Sequence, residues 1–98
     1  MYIGTGLIHL HIPGSRSLKD KRQVIRSLTQ RVRNRFTVAI AEVGDNEAWQ
    51  SAALGFACVS NEHAHAERIC QEVLEFIEDS DLEFEVVGRR LEVLKVED

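Results

Sequence analysis

Two histidines near the start of the chain have a spacing that could serve metal chemistry. His9 and His11 are two residues apart in a stretch that predicts a β-strand, so both imidazoles should lie on one face of it. A zinc site needs a third and usually a fourth ligand. Glu83 or Glu85 could add one only from a neighbouring strand. We therefore expect these histidines to be polar residues at a sheet face or an interface, with no metal.

The remaining side chains that could ligate a metal or react have simpler explanations. His63 and His65 fall in the first turn of a predicted helix, where residues two apart diverge by about 200° and cannot share a ligand. Glu42 ends an apolar strand, where it could be a buried acid, pair with an arginine of the first helix, or end the strand in water. Cys58 and Cys70 lack a C-x-x-C spacing and suit buried free thiols in a reducing compartment.

Motifs for catalysis are missing from the sequence. It contains no phosphate loop, no G-x-G-x-x-G, no G-x-S-x-G and no Cys/His cluster. We therefore predict no catalytic residue, no metal and no cofactor, and a protein that is not an enzyme.

The strongest charge feature is a basic stripe on one predicted helix within residues 15–36. Ser17 is a suitable N-cap, and Asp20 three residues later resembles a capping box. At about 100° per residue, four basic residues share one arc beside the apolar face and span roughly 21 Å at about 1.5 Å per residue. With a fifth residue at the helix entrance, the stripe comprises Arg16, Lys19, Arg22, Arg26 and Arg33. Lys21 falls near the apolar arc, so we expect its amino group to reach out to water.

This stripe is either a solvated helix face or an anion-binding surface, most plausibly for RNA phosphates. Asp20 is the one acid between Met1 and Ala41, whereas an ordinary exposed helix mixes charges. Residues 1–41 hold eight Lys/Arg and one acid, and residues 42–98 hold four Lys/Arg and fifteen acids. The net charge of −4 argues against a general nucleic-acid coat protein. The difference in charge between the two halves also allows an alternative interpretation, in which the basic first helix binds the acidic second helix of another copy.

Hydrophobic periodicity predicts six elements. Strands are expected at 1–13, 37–43, 49–60 and 82–96, with a bulge at Gly88, and helices at 17–36 and from the N-cap Asn61 to about residue 79. The order is βαββαβ, which predicts an α+β ferredoxin-like fold: a four-stranded antiparallel sheet with two helices on one face. At 98 residues, the chain should form one domain, 1–98.

Such a fold leaves the second sheet face uncovered. That face is predicted to carry Ile3, Leu7 and His9, and Trp49 is expected to begin the third strand. An apolar open face marks a partner surface, so we expect a homo-oligomer. Trp49 could pack at this interface or stack on a base. The sequence shows no membrane-spanning run and no signal pattern, so we expect a cytoplasmic protein with no membrane partner.

Several segments resemble the YlxP-like family of small bacterial proteins. They are S-L-K-D-K-R at 17–22, R-V-R-N-R-F at 31–36, V-A-I-A-E-V at 38–43, W-Q at 49–50 and L-G-F-A-C-V-S-N at 54–61. The resemblance implies a ferredoxin-like fold. The family has no assigned biochemical function and no established catalytic residues. Its genes often lie beside ribosome-maturation genes, which implies a role near rRNA or the ribosome.

Overall fold

A computed structural model describes residues 1–97. Its elements follow the order β1 (Tyr2–His11), α1 (Leu18–Arg35), β2 (Ala39–Gly44), β3 (Ser51–Ser60), α2 (His63–Glu78) and β4 (Glu85–Lys95). The strands form one antiparallel sheet in the order β2-β3-β1-β4. The buried sides of both helices join one face of the sheet in a common core. The ferredoxin-like α+β prediction is confirmed.

Alternation along β1 decides which face meets the helices. Ile8 and Leu10 are buried in the core, whereas Ile3 and Leu7 point to the open face and are half-buried. Two glycines on the helix side let neighbouring groups approach closely. A methyl at Gly4 would lie 2.6 Å from a sulfur of α2, and a methyl at Gly6 would overlap a ring of β3.

The start of α1 is capped as predicted, with one difference. The Ser17 hydroxyl accepts a hydrogen bond from the Asp20 N–H at 3.0 Å. The Asp20 carboxylate returns a bond to the backbone N–H of Arg16, also at 3.0 Å, and not to that of Ser17. The reciprocal pair is therefore displaced by one residue from the usual capping box.

Several predicted boundaries are wrong by a few residues. The third strand begins at Ser51 instead of residue 49, the second at Ala39 instead of 37, and the last at Glu85 instead of 82. The N-cap of α2 is Glu62 and not Asn61; its side chain makes no capping hydrogen bond, and its N–H donates to the hydroxyl of Ser60 at 3.1 Å.

The predicted bulge beside Gly88 is confirmed. Gly88 lies opposite His9, and Val86 lies opposite the next residue, Leu10. The intervening Val87 is the extra residue of β4 and is 62% exposed.

Candidate anion-binding surface on the first helix

A buried lysine fixes the connection between β2 and β3 against α1. Lys21 is only 1% exposed. Its Nζ donates to three backbone carbonyls, those of Asp45 (2.8 Å), Asn46 (3.3 Å) and Ser51 (3.3 Å). It also lies 2.9 Å from Oε2 of Glu42. The expectation that Lys21 reaches out to water is wrong, because the loop carbonyls replace water around its ammonium group.

Glu42 therefore pairs with a lysine and not with an arginine. Its Oε2 is buried, and no donor in residues 1–97 meets it with hydrogen-bond geometry despite the short distance to Nζ. The three N–H groups of Lys21 already have three carbonyls within reach, so the contact with Glu42 is an ion pair without a well-aligned hydrogen bond. This pair holds the loop in place.

A second set of bonds ties the same connection to the chain just before α1. The side-chain amide of Gln50 donates to the carbonyls of Pro13 (3.2 Å) and Ser15 (3.0 Å). The Gln50 carbonyl accepts from the Ile12 N–H at 2.8 Å. Residues 45–50 therefore lie beside the N-terminal turn of α1, where Arg16 follows Ser15.

The predicted basic stripe is exposed and mostly unpaired. Lys19, Arg22 and Arg26, together with Gln23, line a shallow depression of about 300 Å³. Among residues 1–97, no carboxylate forms an ion pair with these three cations or with the side chain of Arg16. We call Arg16, Lys19, Arg22, Arg26 and Arg33 the basic face. Within residues 1–97 none of these five side chains forms an ion pair, so the described structure does not neutralise their positive charge.

Arg33 shows which way the basic face is turned. Its Nη2 donates to the carbonyl of Ile40 in β2 at 2.8 Å. The arc that Arg33 shares with Lys19, Arg22 and Arg26 therefore lies on the side of α1 that overhangs the edge strand β2. The structure brings these side chains onto one side of the molecule, as the spacing predicted.

The other flank of α1 faces α2 and has its charges satisfied. Arg31 pairs with Asp81 at 2.7 Å, and this hydrogen bond holds the pKa of the Asp81 carboxyl below its ordinary value. The guanidinium of Arg35 lies over the rings of Phe36 and Phe76, at 5.9 and 5.5 Å. A groove of about 620 Å³ runs between these groups and the acids of α2. Its charges oppose one another locally, so it is a weaker candidate for binding phosphate.

The histidines are dispersed. His9 is exposed on the open sheet face. His11 lies opposite Glu85 of the neighbouring strand β4. The ring of His65 lies 2.9 Å from the Ser60 hydroxyl. Within residues 1–97, no three histidine, cysteine or acidic side chains come together where they could hold a metal ion.

Cys58 and Cys70 are free and buried. Their sulfurs lie 2.9 and 2.6 Å from the position that a methyl on Gly4 would occupy. Burial, and then the neighbouring Cys58 thiol, raises the pKa of Cys70 to about 12. A thiol with this pKa is a poor nucleophile at neutral pH, so Cys70 packs the core.

The open sheet face carries exposed apolar groups. Val59 is 66% exposed and Val43 is 59% exposed, beside the half-buried Ile3 and Leu7. Trp49 is 56% exposed, and it lies in the connection between β2 and β3 instead of in a strand. Within residues 1–97, neither helix has the length and apolar character needed to cross a membrane.

Comparison with known proteins gives the family but no activity. The chain is 42% identical over 62 residues to the uncharacterized protein YlxP of Bacillus subtilis (strain 168), a match that spans 63% of this chain and 67% of that protein. The model of a family described as "Protein of unknown function (DUF503)" matches residues 3–90. The chain therefore belongs to the DUF503 family.

Proposed function

We propose that this protein is a non-enzymatic, cytoplasmic RNA-binding module that engages rRNA or the ribosome through the basic face. One observation carries the proposal: Arg16, Lys19, Arg22 and Arg26 are exposed without acidic partners in residues 1–97 of a chain whose net charge is −4. Like charges three and four residues apart on a helix each cost a few tenths of a kcal/mol. Bound phosphates relieve that repulsion.

The spacing of the cations suits a phosphate backbone. Lys19, Arg22 and Arg26 are separated by three and four residues, which places successive Cβ atoms about 5–6 Å apart along the helix. Contacts to phosphates position a nucleic acid without reading its sequence. The protein would therefore recognise the shape and charge of an RNA. The choice of ribosomal RNA rests on the gene neighbourhood of the YlxP-like family.

Charge reversal on the basic face tests this proposal. Arg22→Glu with Arg26→Glu should abolish binding to ribosomal subunits and to rRNA fragments in a filter or fluorescence-anisotropy assay, while circular dichroism stays unchanged. The control is Arg68→Glu with Arg90→Glu, two exposed arginines outside the basic face, of which Arg90 pairs with Glu92 at 2.7 Å. The control makes the same change in net charge and should keep most of the affinity. Equal losses in both double variants would refute a localised site.

A second candidate function rests on the open sheet face. Val43, Val59 and Leu94 are exposed on this face beside the half-buried Ile3 and Leu7. Burying these apolar side chains against a second copy of the chain would be favourable. In this alternative the chain is a structural or regulatory homo-oligomer that uses this face, with contributions from His9 and Trp49, and has no nucleic-acid partner.

Sedimentation velocity tests the oligomer directly. Leu7→Asp should convert an oligomer into monomers, whereas Gln71→Asp on the exposed side of α2 should leave it intact. A wild-type protein that sediments as a monomer at all concentrations would exclude this alternative.

A further inference from the structure

Trp49 is an unusually exposed aromatic residue. Its side chain is 56% accessible, and within residues 1–97 its ring makes no stacking or cation–π contact. Its position outside β3 removes the simplest explanation, that it packs as part of the sheet. Tryptophan is enriched at interfaces, and the bases of single-stranded nucleic acids stack on aromatic side chains.

The fold places the loop that carries Trp49 beside the N-terminal end of the basic face. Arg33, in the last two turns of α1, donates to Ile40 near the start of β2. From there β2 runs antiparallel to α1, toward the start of the helix. The end of β2 lies near Lys21, whose Nζ donates to carbonyls of residues 45, 46 and 51. Gln50, the next residue after Trp49, bonds to the carbonyl just before Arg16.

We infer that Trp49 and the N-terminal half of the basic face form one surface for single-stranded RNA, with an unpaired base stacked on the indole and the neighbouring phosphates held by Arg16, Lys19 and Arg22. This inference rests on the proposed function and narrows it to a class of RNA. In a duplex the flat faces of the bases are covered by their neighbours, so only an unpaired segment can offer one to Trp49.

The loop that carries Trp49 is held rigidly enough to present it. Asp45 adopts a left-handed conformation with φ of 59°, and its carbonyl accepts from the Ala48 N–H at 3.0 Å as well as from Lys21. A ring presented from a fixed loop loses less conformational freedom when a base stacks on it.

Acidic residues in the same loop restrict the path that the backbone of a bound RNA strand can take. Asp45 and Glu47 are exposed near Trp49 and repel phosphates. The backbone of a bound strand should therefore follow the basic face of α1 and keep away from the outer side of the loop. Glu47→Gln should strengthen binding of a single strand, most visibly at low salt.

The chain contains one tryptophan, so its fluorescence reports on this site alone. Three probes of equal length separate the contributions: an unstructured 12-nucleotide RNA, the same ribose-phosphate backbone without bases, and a 12-base-pair RNA duplex. The unstructured RNA should quench Trp49 and bind most tightly. The abasic strand should bind through its phosphates without quenching, and the duplex should also leave the fluorescence unchanged.

Substitution of Trp49 completes the test. Trp49→Leu should weaken binding of the unstructured RNA about fivefold to a hundredfold, the effect of losing one stacked base. It should leave abasic affinity unchanged, and Trp49→Phe should lie between the two. If the RNAs bind through Arg22 and Arg26 but Trp49 is silent and dispensable, this inference is wrong and the proposed function stands.

Two other results would also overturn the inference. If none of the three probes binds while ribosomal subunits still bind through Arg22 and Arg26, the proposed function stands without this inference, and if the subunits do not bind either, both fall. If Trp49→Leu changes the sedimentation coefficient and not the RNA affinity, the indole belongs to an interface between copies of the chain.

Discussion

Replacing Lys21 with methionine should destabilise this fold strongly, although the new side chain is apolar and of similar length. The Lys21 side chain is 1% exposed, and its ammonium group donates to three backbone carbonyls and lies 2.9 Å from the Glu42 carboxylate. Removing one partner of a buried pair typically costs about 3–5 kcal/mol, because the other charge stays buried. The Glu42 side chain is 19% exposed and gains some hydration, so we expect about 3 kcal/mol.

Urea unfolding followed by circular dichroism measures this loss. For a domain of this size, about 3 kcal/mol corresponds to a melting temperature lower by roughly 12–24 °C. Lys19→Met removes an exposed lysine two residues away and should change stability by no more than about 0.5 kcal/mol. Adding Glu42→Leu to Lys21→Met should recover at least about 1 kcal/mol, because no charge is then left unpaired. A Lys21→Met loss below about 1 kcal/mol would show that the ammonium group does not hold the loop.

Two further predictions concern the core. Gly6→Ala should cost about 1–3 kcal/mol in urea unfolding because the new methyl overlaps the buried ring of Phe56, whereas Gly14→Ala in the exposed turn should cost less than about 0.5 kcal/mol. The pKa of Cys70 is raised from 9.0 to about 12 by burial and by Cys58, so the folded state keeps a proton that the unfolded state loses. The unfolding free energy should therefore fall as the pH rises from about 9 to about 12. Cys70→Ala should show a smaller fall across this range, and an identical pH profile would contradict the raised pKa.

Much of the fold follows from local patterns in the sequence. Apolar residues on both sides of β1 correctly indicated a central strand, since Ile8 faces the helices while Leu7 faces the open side. Ser17 was identifiable as the N-cap because it directly precedes the apolar residues that recur at helical spacing in α1. Gly88 marked the bulge because glycine weakens a regular strand.

Features that depend on distant parts of the chain could not be predicted in this way. Periodicity put Lys21 at the apolar arc of α1, and that unusual position was the one available signal of its burial. Its carbonyl partners lie 24–30 residues further along the chain, where no local pattern reveals them. The sequence pattern predicts that Trp49 begins the third strand, although two polar residues separate it from the apolar run that starts at Ala52. The bonds of Gln50 to the chain before α1 hold this residue in the loop instead.

The sequence predicts that the basic residues share one side of a helix, but it does not predict where that side lies relative to the sheet. Spacing alone groups its residues on one arc, whereas the bond from Arg33 to Ile40 shows that the arc overhangs β2. The pairing of Arg31 with Asp81 separates the engaged basic residues of α1 from the free ones. Neither contact has a signature in the local sequence.

The most direct measurement is binding of the purified protein to ribosomal subunits and unstructured RNA across a salt series. Four phosphate contacts on a single strand give a slope of about −3 in log affinity against log salt, from roughly −0.7 per contact. We predict saturable binding with such a slope, lost when Arg22 and Arg26 are both replaced by glutamate. Absence of binding at low salt, or binding that survives this replacement, would contradict the assignment of the basic face to RNA.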